Sequence, residues 1–263
     1  MIDVAKTYRN ILVESDGAVA TITMNRPAKR NALSIEHMLE LIACLKAFSA
    51  DQDVAVVILA GNGPGFCAGH DLGEMAGQSP EFVAHEFEVC TELMETIISI
   101  PQPVIARVHG IATAAGCQLV ATCDLAVAAE EARFATSGIK NGLFCSTPMV
   151  ALSRVIGRKK ALEMLLTGDF ISAQEALDEG LVNRVVPAAE LVDATRALAD
   201  RIARLSPRVV GMGKQAFYRQ IDMPLHDAYV YTSSVMVANT QLEDGQEGMC
   251  AFLEKRTPTW RNR

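Results

Sequence analysis

The sequence predicts an α/β fold in which strand–strand–helix units form a spiral, followed by a helical C-terminal region. Three observations lead to this class. Short, continuous apolar runs, typical of strands buried on both faces, alternate with helical patterns up to about residue 200. The strand–strand–helix order recurs loosely at intervals of roughly 45 residues. From Pro207 onward the pattern is helical only. We therefore predict a spiral core over residues 1–205 and a helical region over 206–263.

The first part of the chain contains a predicted hairpin, a helix and a buried strand. Residues 11–14 and 19–24 form two strands joined at Asp16-Gly17, a turn sequence that favours hairpins. Ser34 can cap a helix that runs to about residue 50, because apolar side chains recur there at helical spacing. The apolar run 54–60 predicts a buried strand, and a glycine-rich loop over 61–72 follows it.

The rest of the chain continues the alternation. A helix is predicted over 80–100, where Pro101 and Pro103 end it, and 104–108 forms another buried strand. Residues 109–118, HGIATAAGCQ, form a strand-to-helix turn. Further strands are predicted at 125–129, 133–135 and 185–186. Further helices are predicted at 149–155, 159–166, 173–179, 188–205, 209–218, 225–242 and 248–255.

The composition disfavours several classes of protein. A net charge of −7 argues against a broad nucleic-acid surface. No apolar run reaches the ~20 residues that a membrane span requires. The start, MIDVAKTYRN, lacks the apolar core of a secretory signal. The seven cysteines are scattered and form no Cys-x-x-Cys motif, which predicts reduced thiols and no metal site. Reduced thiols indicate a cytoplasmic location, or the mitochondrial matrix if the chain is eukaryotic and processed.

Two turns carry the features of a backbone binding site. The loop 61–72 holds four glycines, which permit conformations that point amide groups into a cavity. The second turn, Ala114-Ala115-Gly116, opens a helix whose first amides lack internal partners. Two amides that converge on one point form an oxyanion hole, which stabilises the charge that develops on a carbonyl oxygen. The alternative is that these small residues only allow a helix to pack closely on a sheet.

Motifs along almost the whole chain resemble those of the enoyl-CoA hydratase/isomerase family, the crotonase superfamily. Each motif is modest by itself, but their order and spacing are specific. They are Asn25-Arg26-Pro27 with Asn31-Ala32-Leu33; the run 66–72, FCAGHDL; the run 101–106, PQPVIA; Gly116-Cys117-Gln118-Leu119 with Cys123-Asp124; Thr167-Gly168, Ile171-Ser172-Ala173 and Glu175-Ala176; Gly180-Leu181-Val182; and Gly245-Gln246-Glu247-Gly248 with Phe252 and Lys255.

The resemblance implies an acyl-CoA thioester as substrate, with coenzyme A as part of that substrate and no separate cofactor. It implies that the amides of His70 and Ala115 form the oxyanion hole. It further implies homotrimers, commonly paired into hexamers, with the C-terminal helical region used in trimerisation. The residues that would contact coenzyme A are Lys29, Ala32, Ala68, Asp71 and Leu72, with Phe252 and Lys255 reaching it, often from a neighbouring subunit.

The chain departs from the family at its acid–base positions. Family hydratases use two glutamates, and the corresponding positions are Gln118 and Gly138. A third position, at which some family members carry an aspartate, is Ser146. Neither glutamine nor glycine can exchange a proton at a useful pKa, and each acid–base group is typically worth ~10²–10⁴ in rate. Efficient hydration by the usual carboxylate pair is therefore not expected.

Three hypotheses follow. The first is an acyl-CoA enzyme of the hydratase/isomerase type that is slow or uses substitute residues. The second is a malonyl-type acyl-CoA decarboxylase or a thioesterase that relies on the oxyanion hole. The third is a non-catalytic acyl-CoA-binding protein.

Four side chains have open roles at this stage. Ser146 can orient water or cap the helix before Pro148. We expect Cys145 to be a buried thiol, and Asp124 to fix a turn. The His70 side chain can lie at the loop surface or point away from the pocket.

Overall fold

The computed structural model describes residues 8–262, and its strands form two sheets. In chain order the strands are β1 (Ile11–Asp16), β2 (Val19–Met24), β3 (Val56–Gly61), β4 (Val104–Val108), β5 (Ile111–Thr113), β6 (Leu125–Ala129), β7 (Arg133–Ala135), β8 (Ile171–Ser172) and β9 (Arg184–Val186). The α-helices are α1 (Ile35–Ala50), α2 (Leu72–Met75), α3 (Pro80–Ser99), α4 (Ala115–Thr122), α5 (Pro148–Val155), α6 (Arg158–Thr167), α7 (Ala173–Asp178), α8 (Leu191–Ala203), α9 (Pro207–Gln220), α10 (Leu225–Gln241) and α11 (Glu243–Glu254). The predicted α/β class with a helical C-terminal region is confirmed.

The main sheet has the strand order β1-β2-β3-β4-β6-β9. Only β1 and β2 are antiparallel; their predicted hairpin pairs Asp16 with Val19, and Gly17 takes the positive φ of 60° that this tight turn requires. The remaining neighbours are parallel. The central strands are continuous apolar runs because both of their faces are covered.

Alternate residues of each central strand enter two different apolar clusters. Val57 and Leu59 pack with the buried side chains of α1, α3 and α4. Val56 and Ile58 point to the opposite face, where they pack against α8. This side-chain alternation is the two-residue period of a strand. It holds the beginnings of α3 and α4 on one side of the sheet, where the candidate site lies.

The second sheet has the order β5-β7-β8, and the sequence predicts only β7 of these strands. β5 and β8 have three and two residues, which is too short to show any periodicity. They are strands because β7 lies between them and supplies both of their partners. β5 leads directly into the turn at Ala114, so this small sheet fixes the position of the second predicted turn.

The last helix begins five residues earlier than predicted, at Glu243 rather than at residue 248. Gly245 and Gly248 are poor helix formers, and they hide the helical pattern in the sequence. A Cβ at Gly245 would lie only 2.2 Å from the carbonyl oxygen of Asn239, so glycine is required for this close contact between α11 and α10. Tertiary packing therefore outweighs the local preference.

Candidate active site

The two turns predicted from the sequence lie side by side because the first loop runs along β5. The Cys67 amide donates to the Ile111 carbonyl at 3.1 Å, and the Thr113 amide donates to the Cys67 carbonyl at 3.0 Å. These two bonds form a parallel bridge between Cys67 and Ala112. The residues that follow Cys67 in the first loop therefore lie next to those that follow β5 in the second turn.

Glycine is required at two positions where the turns touch. A Cβ on Gly116 would lie 2.2 Å from the Cys67 carbonyl oxygen, closer than any two such atoms can approach. Gly69 has φ of +95°, and a Cβ there would lie 2.9 Å from the Ala114 Cβ and 3.4 Å from the Ala115 amide nitrogen. Close packing of these small residues is thus observed, and it is compatible with the predicted oxyanion hole. The close packing is what brings the two turns together.

The amides of His70 and Ala115 lie at the two turns, at positions where the described residues offer them no acceptor. Ala115 is the first residue of α4, where an amide has no partner within the helix. Ala114 before it takes φ 51° and ψ −120°, a strained conformation of the kind that accumulates at functional sites. Leu33 pairs with the residues on either side of His70, through its bonds to the Gly69 carbonyl and the Asp71 amide. Within residues 8–262, neither the His70 nor the Ala115 amide donates a hydrogen bond to the protein.

A cavity of about 530 Å³ opens in front of these turns. Its walls are mostly apolar, and no aspartate or glutamate is among the described residues that line it. A groove of similar volume, about 560 Å³, lies between the end of α1 and the start of α9, but the two turns do not border it. The lining residues of the first cavity are Ala68, His70, Leu72, Met75, Phe87, Ala114, Ala115, Ser137, Gly138, Asn141, Leu143, Phe144, Cys145, Ser146, Thr147 and Pro148.

The two positions of the family glutamates differ in the structure. Gly138 lines the cavity, but a Cβ there would lie 2.6 Å from the Leu143 carbonyl oxygen and 2.9 Å from the Cys145 Sγ. The space that a side chain would need is occupied by the chain itself. Gln118 is buried in α4, and it is not among the described residues that line the cavity. Gly138 is therefore among the described lining residues, whereas Gln118 is buried with no hydrogen-bond partner for its Oε1 among the described residues.

Ser146 borders the cavity, but it does not cap α5. The residue at the cap position is Thr147, and no side chain caps this helix. The Ser146 hydroxyl makes only a long 3.4 Å contact with the Phe144 carbonyl oxygen. Its neighbour Cys145 is buried, and burial raises the pKa of its thiol, as expected for an unreactive cysteine.

The His70 side chain packs on α3. Its Nδ1 lies 3.0 Å from Oε1 of Glu86, and its ring meets Phe87 edge-on with centroids 5.3 Å apart. Burial lowers the pKa of His70, but the neighbouring Cys90 and Glu86 outweigh this effect and raise the pKa to about 9.

Glu86 is the residue of this site that the sequence reasoning missed. It is fully buried, and it lies on the same face of α3 as Cys90, Leu93 and Ile97. A carboxylate on the apolar face of a helix is costly unless it is paired. The signal in the sequence was an acidic residue, Glu86, on the apolar face of a predicted helix. Its partner could not be inferred, because His70 lies outside that helix.

The residues predicted to contact coenzyme A form one connected group around Asp71. The Asp71 carboxylate pairs with Arg26 at 2.9 Å and lies 3.9 Å from the mostly exposed Lys29. Ala68 donates its amide to the Arg30 carbonyl, which joins the two loops, and the Arg26 guanidinium donates to the Ala32 carbonyl. Asp71 also caps α2, which begins at Leu72. Arg26 was named only as part of a motif, and it is the main partner of Asp71.

Phe252 and Lys255 are not brought to the cavity within one chain. Both lie at the end of α11, and Phe252 is 82 % exposed. Their predicted contact with coenzyme A from a neighbouring subunit stays a prediction. Asp124 is distant from the chemistry as well: it accepts hydrogen bonds from the Val104 amide and the Tyr218 hydroxyl, in agreement with a role in fixing a turn.

The described part of the chain contains neither a membrane-spanning helix nor a metal cluster. No helix within residues 8–262 is long and apolar enough to cross a bilayer. In the same residues, no group of three or more histidine, cysteine, aspartate or glutamate side chains could hold a metal ion.

Two adjacent turns that border a mostly apolar cavity, on a fold of alternating strands and helices, are typical of a crotonase-type protein. The chain belongs to the enoyl-CoA hydratase/isomerase family, whose sequence model matches residues 14–263. Human enoyl-CoA hydratase domain-containing protein 3, mitochondrial, is 49% identical over 243 residues, which cover 92% of this chain and 80% of that protein. The crystal structure of that human protein superposes with a TM-score of 0.94 at 48% identity, covering 96% of this chain and 100% of that one. A crystal structure of an enoyl-CoA hydratase from Mycobacterium smegmatis also gives a TM-score of 0.94, at 50% identity over 96% of this chain and 99% of that chain.

Proposed function

We propose that this chain is an acyl-CoA enzyme that holds a thioester oxygen between the amides of His70 and Ala115 and stabilises the enolate. The observation that carries the proposal is the pair of free amides at adjacent turns facing a cavity of about 530 Å³. Membership of the enoyl-CoA hydratase/isomerase family supports the thioester as ligand. Amides that are fixed before the reaction stabilise the developing charge without reorganisation, and one such donor is worth ~10²–10³ in rate.

Fast hydration is not part of this proposal. Adding water across a double bond requires a group that takes and returns a proton, and no carboxylate is among the described lining residues. His70 cannot serve, because its Nε2 has less than 1 Å² of accessible surface and its Nδ1 is paired with Glu86. The cavity therefore favours reactions that reach the enolate without a protein base.

Decarboxylation of a malonyl-type acyl-CoA is the second candidate, and the absence of a lining carboxylate favours it. The bond from Cα to the carboxylate carbon breaks, CO₂ leaves, and the electron pair moves into the thioester carbonyl. The amides hold the resulting enolate, and water protonates Cα. Mostly apolar walls favour loss of the charged carboxylate, and an Asp or Glu at the site would repel it.

A panel of coenzyme A thioesters tests both candidates. Crotonyl-CoA reports hydration, malonyl- and methylmalonyl-CoA report CO₂ release, and butyryl-CoA reports thiol release, while calorimetry measures binding of each. We expect binding of all four and product chiefly from the malonyl type. Rapid hydration of crotonyl-CoA would contradict the proposal, and binding without any product would identify a non-catalytic acyl-CoA-binding protein.

Restoring the two family glutamates should not create a hydratase. In the double variant Gln118→Glu/Gly138→Glu, the new side chain at 138 meets the Leu143 carbonyl and Cys145 Sγ at 2.6 and 2.9 Å. We expect a loss of ~1–3 kcal/mol in the free energy of unfolding from this overpacking, and no gain in crotonyl-CoA hydration. Urea unfolding and a hydration assay measure the two effects. The single variant Gln118→Glu separates the crowding at 138 from the change at 118. A stable double variant that hydrates crotonyl-CoA would show that the cavity can accept the carboxylate after all.

Assembly as a homotrimer, or as a hexamer of two trimers, belongs to the same proposal. It is supported by large apolar side chains that α10 and α11 leave exposed, among them Leu225, Tyr229, Phe252 and Leu253, at 67–82 %. A reducing compartment, the cytoplasm or the mitochondrial matrix, is supported by the free cysteines, and the human relative is named a mitochondrial protein. Light scattering of the purified chain measures the oligomeric state, and a monomer would contradict the proposed trimer. A thiol titration measures whether the cysteines are reduced.

A further inference from the structure

The pair formed by His70 and Glu86 lies next to the first proposed oxyanion amide, which belongs to His70 itself. The donor amide and the imidazole belong to one residue and are separated only by Cα and Cβ. Glu86 Oε1 holds the ring at Nδ1 with a 3.0 Å contact, and Glu86 itself is fully buried on α3. The first loop is thus tied to a long core helix through the contacts of the His70 side chain with Glu86 and Phe87.

The geometry excludes direct proton exchange between His70 and a substrate. The Nε2 atom has less than 1 Å² of accessible surface, so a ligand in the cavity cannot reach it. The ring edge is also packed against Phe87, with centroids 5.3 Å apart. What remains for the side chain is to fix the conformation of residue 70 and to place charge near its amide.

We propose that Glu86 and His70 act as positioning residues of the oxyanion hole: Glu86 keeps the imidazole cationic, and that cation orients and strengthens the residue-70 amide toward the thioester oxygen. This inference rests on the proposed function, since it concerns the same oxygen. A positive charge behind a hydrogen-bond donor stabilises negative charge on the acceptor, and in a partly dry site such an interaction is screened less than in water.

The groups around the imidazole support a cationic ring. From α3 it is faced by Glu86 and Cys90. Burial lowers the pKa of His70, but these two residues outweigh it, so the pKa rises to about 9. Nδ1 pairs with Glu86, and the buried Nε2 has no hydrogen-bond partner among the described residues. On the neighbouring segments, Asp71 is paired with Arg26, and Glu74 accepts a hydrogen bond from the Ile35 amide. No other charged side chain is among the described cavity-lining residues.

The test uses butyryl-CoA labelled with a heavy isotope at its carbonyl carbon, whose stretching frequency falls when the oxygen is polarised. In the unmodified chain we expect a lowered frequency on binding. In Glu86→Gln the shape is kept and the charge is lost, so the frequency shift should fall by about half, and turnover of the best panel substrate by about tenfold, less than removal of a whole donor would cost. His70→Gln should behave in the same way.

The pH dependence distinguishes charge from simple packing. The unmodified chain should keep its full shift at neutral pH and lose it as the pH rises through about 9, where the imidazole becomes neutral. In Glu86→Gln this loss should move toward the ordinary His value of 6.5. Imidazole nitrogen NMR of the unmodified chain reports the same titration without any substitution, so the test survives if a variant fails to fold.

The matched controls are His85→Gln and Glu88→Gln, an exposed pair on the same helix at 3.8 Å. Both should leave the frequency shift and turnover unchanged. If the unmodified chain shows no shift, the proposed function fails. If the unmodified chain shows the shift, but Glu86→Gln and His70→Gln leave the shift and its pH profile unchanged, this inference is overturned and the proposed oxyanion hole stands. The same holds if NMR finds His70 neutral at pH 7.

Discussion

Replacing Gly116 by alanine is expected to lower thioester turnover by ~10²-fold or more. The added Cβ would lie 2.2 Å from the Cys67 carbonyl oxygen and 2.8 Å from the Cys67 Cβ. The backbone of α4 or of the first loop must therefore move by roughly 1 Å, and misplacement by that distance is enough to cost ~10² in rate. The amides of His70 and Ala115 would no longer point at one oxygen.

The measurements are turnover of the best panel substrate and the carbonyl frequency shift of bound butyryl-CoA, with urea unfolding to follow stability. We expect the shift to be largely lost and the free energy of unfolding to fall by ~1–3 kcal/mol, as in other overpacked sites. Gly213→Ala is the matched control, because Gly213 is exposed on α9 and nothing lies within 4 Å of its Cβ position. That change should leave turnover intact and stabilise the chain by ~0.5–1 kcal/mol. A folded Gly116→Ala chain with full turnover would refute the two-amide site.

Replacing Lys214 by methionine is expected to cost ~3–5 kcal/mol of unfolding free energy, a large part of the ~5–15 kcal/mol that stabilises a typical protein. The Lys214 ammonium lies 2.7 Å from the Asp124 carboxylate and donates to the Ile97 and Gln102 carbonyls at 2.7 and 2.9 Å. Methionine keeps much of the volume but leaves a buried carboxylate without its cation. Burial lowers the pKa of Lys214 and raises that of Asp124, and their mutual attraction opposes both shifts.

Urea unfolding at neutral pH measures this effect, and Lys46→Met is the control. Lys46 and Glu92 form an ion pair of similar length, 2.6 Å, but both side chains are about half exposed. Exposed pairs contribute little, so that variant should lose less than ~1 kcal/mol. Equal losses in the two variants would mean that burial does not govern the strength of the Lys214 pair. Because Asp124 follows the end of α4, we also expect Lys214→Met to loosen the helix that carries the Ala115 amide.

The two turns of the proposed oxyanion hole could be predicted from the sequence because they depend on the backbone. The glycines and alanines of the two turns can be read directly from the sequence. Glycine permits unusual backbone conformations, and the first amides of a helix lack internal partners, in any protein. The Glu86 contact could not be predicted in the same way. It is a side-chain pair that joins a loop residue to a helix, and nothing local to His70 indicates which of the nearby acids it meets.

Position 138 is a second case in which the sequence does not show the packing around a residue. The glycine in the sequence indicates that a catalytic side chain is missing. Only the folded chain shows that Leu143 and Cys145 fill the space such a side chain would need. Lys214 is a third case, since a lysine in a predicted helix is ordinarily exposed, and its burial follows from how α9 packs near Asp124.

The sequence by itself determined the fold class, the longer strands and helices, and the two turns of the candidate site, because all three depend on periodicity and local backbone preference. The tertiary structure decided which side chains support those amides, which positions have room for an acid, and which charges are buried. Those outcomes depend on contacts between segments far apart in the chain, such as the 2.2 Å approach at Gly116, and packing distances of that kind are set only when the whole core assembles.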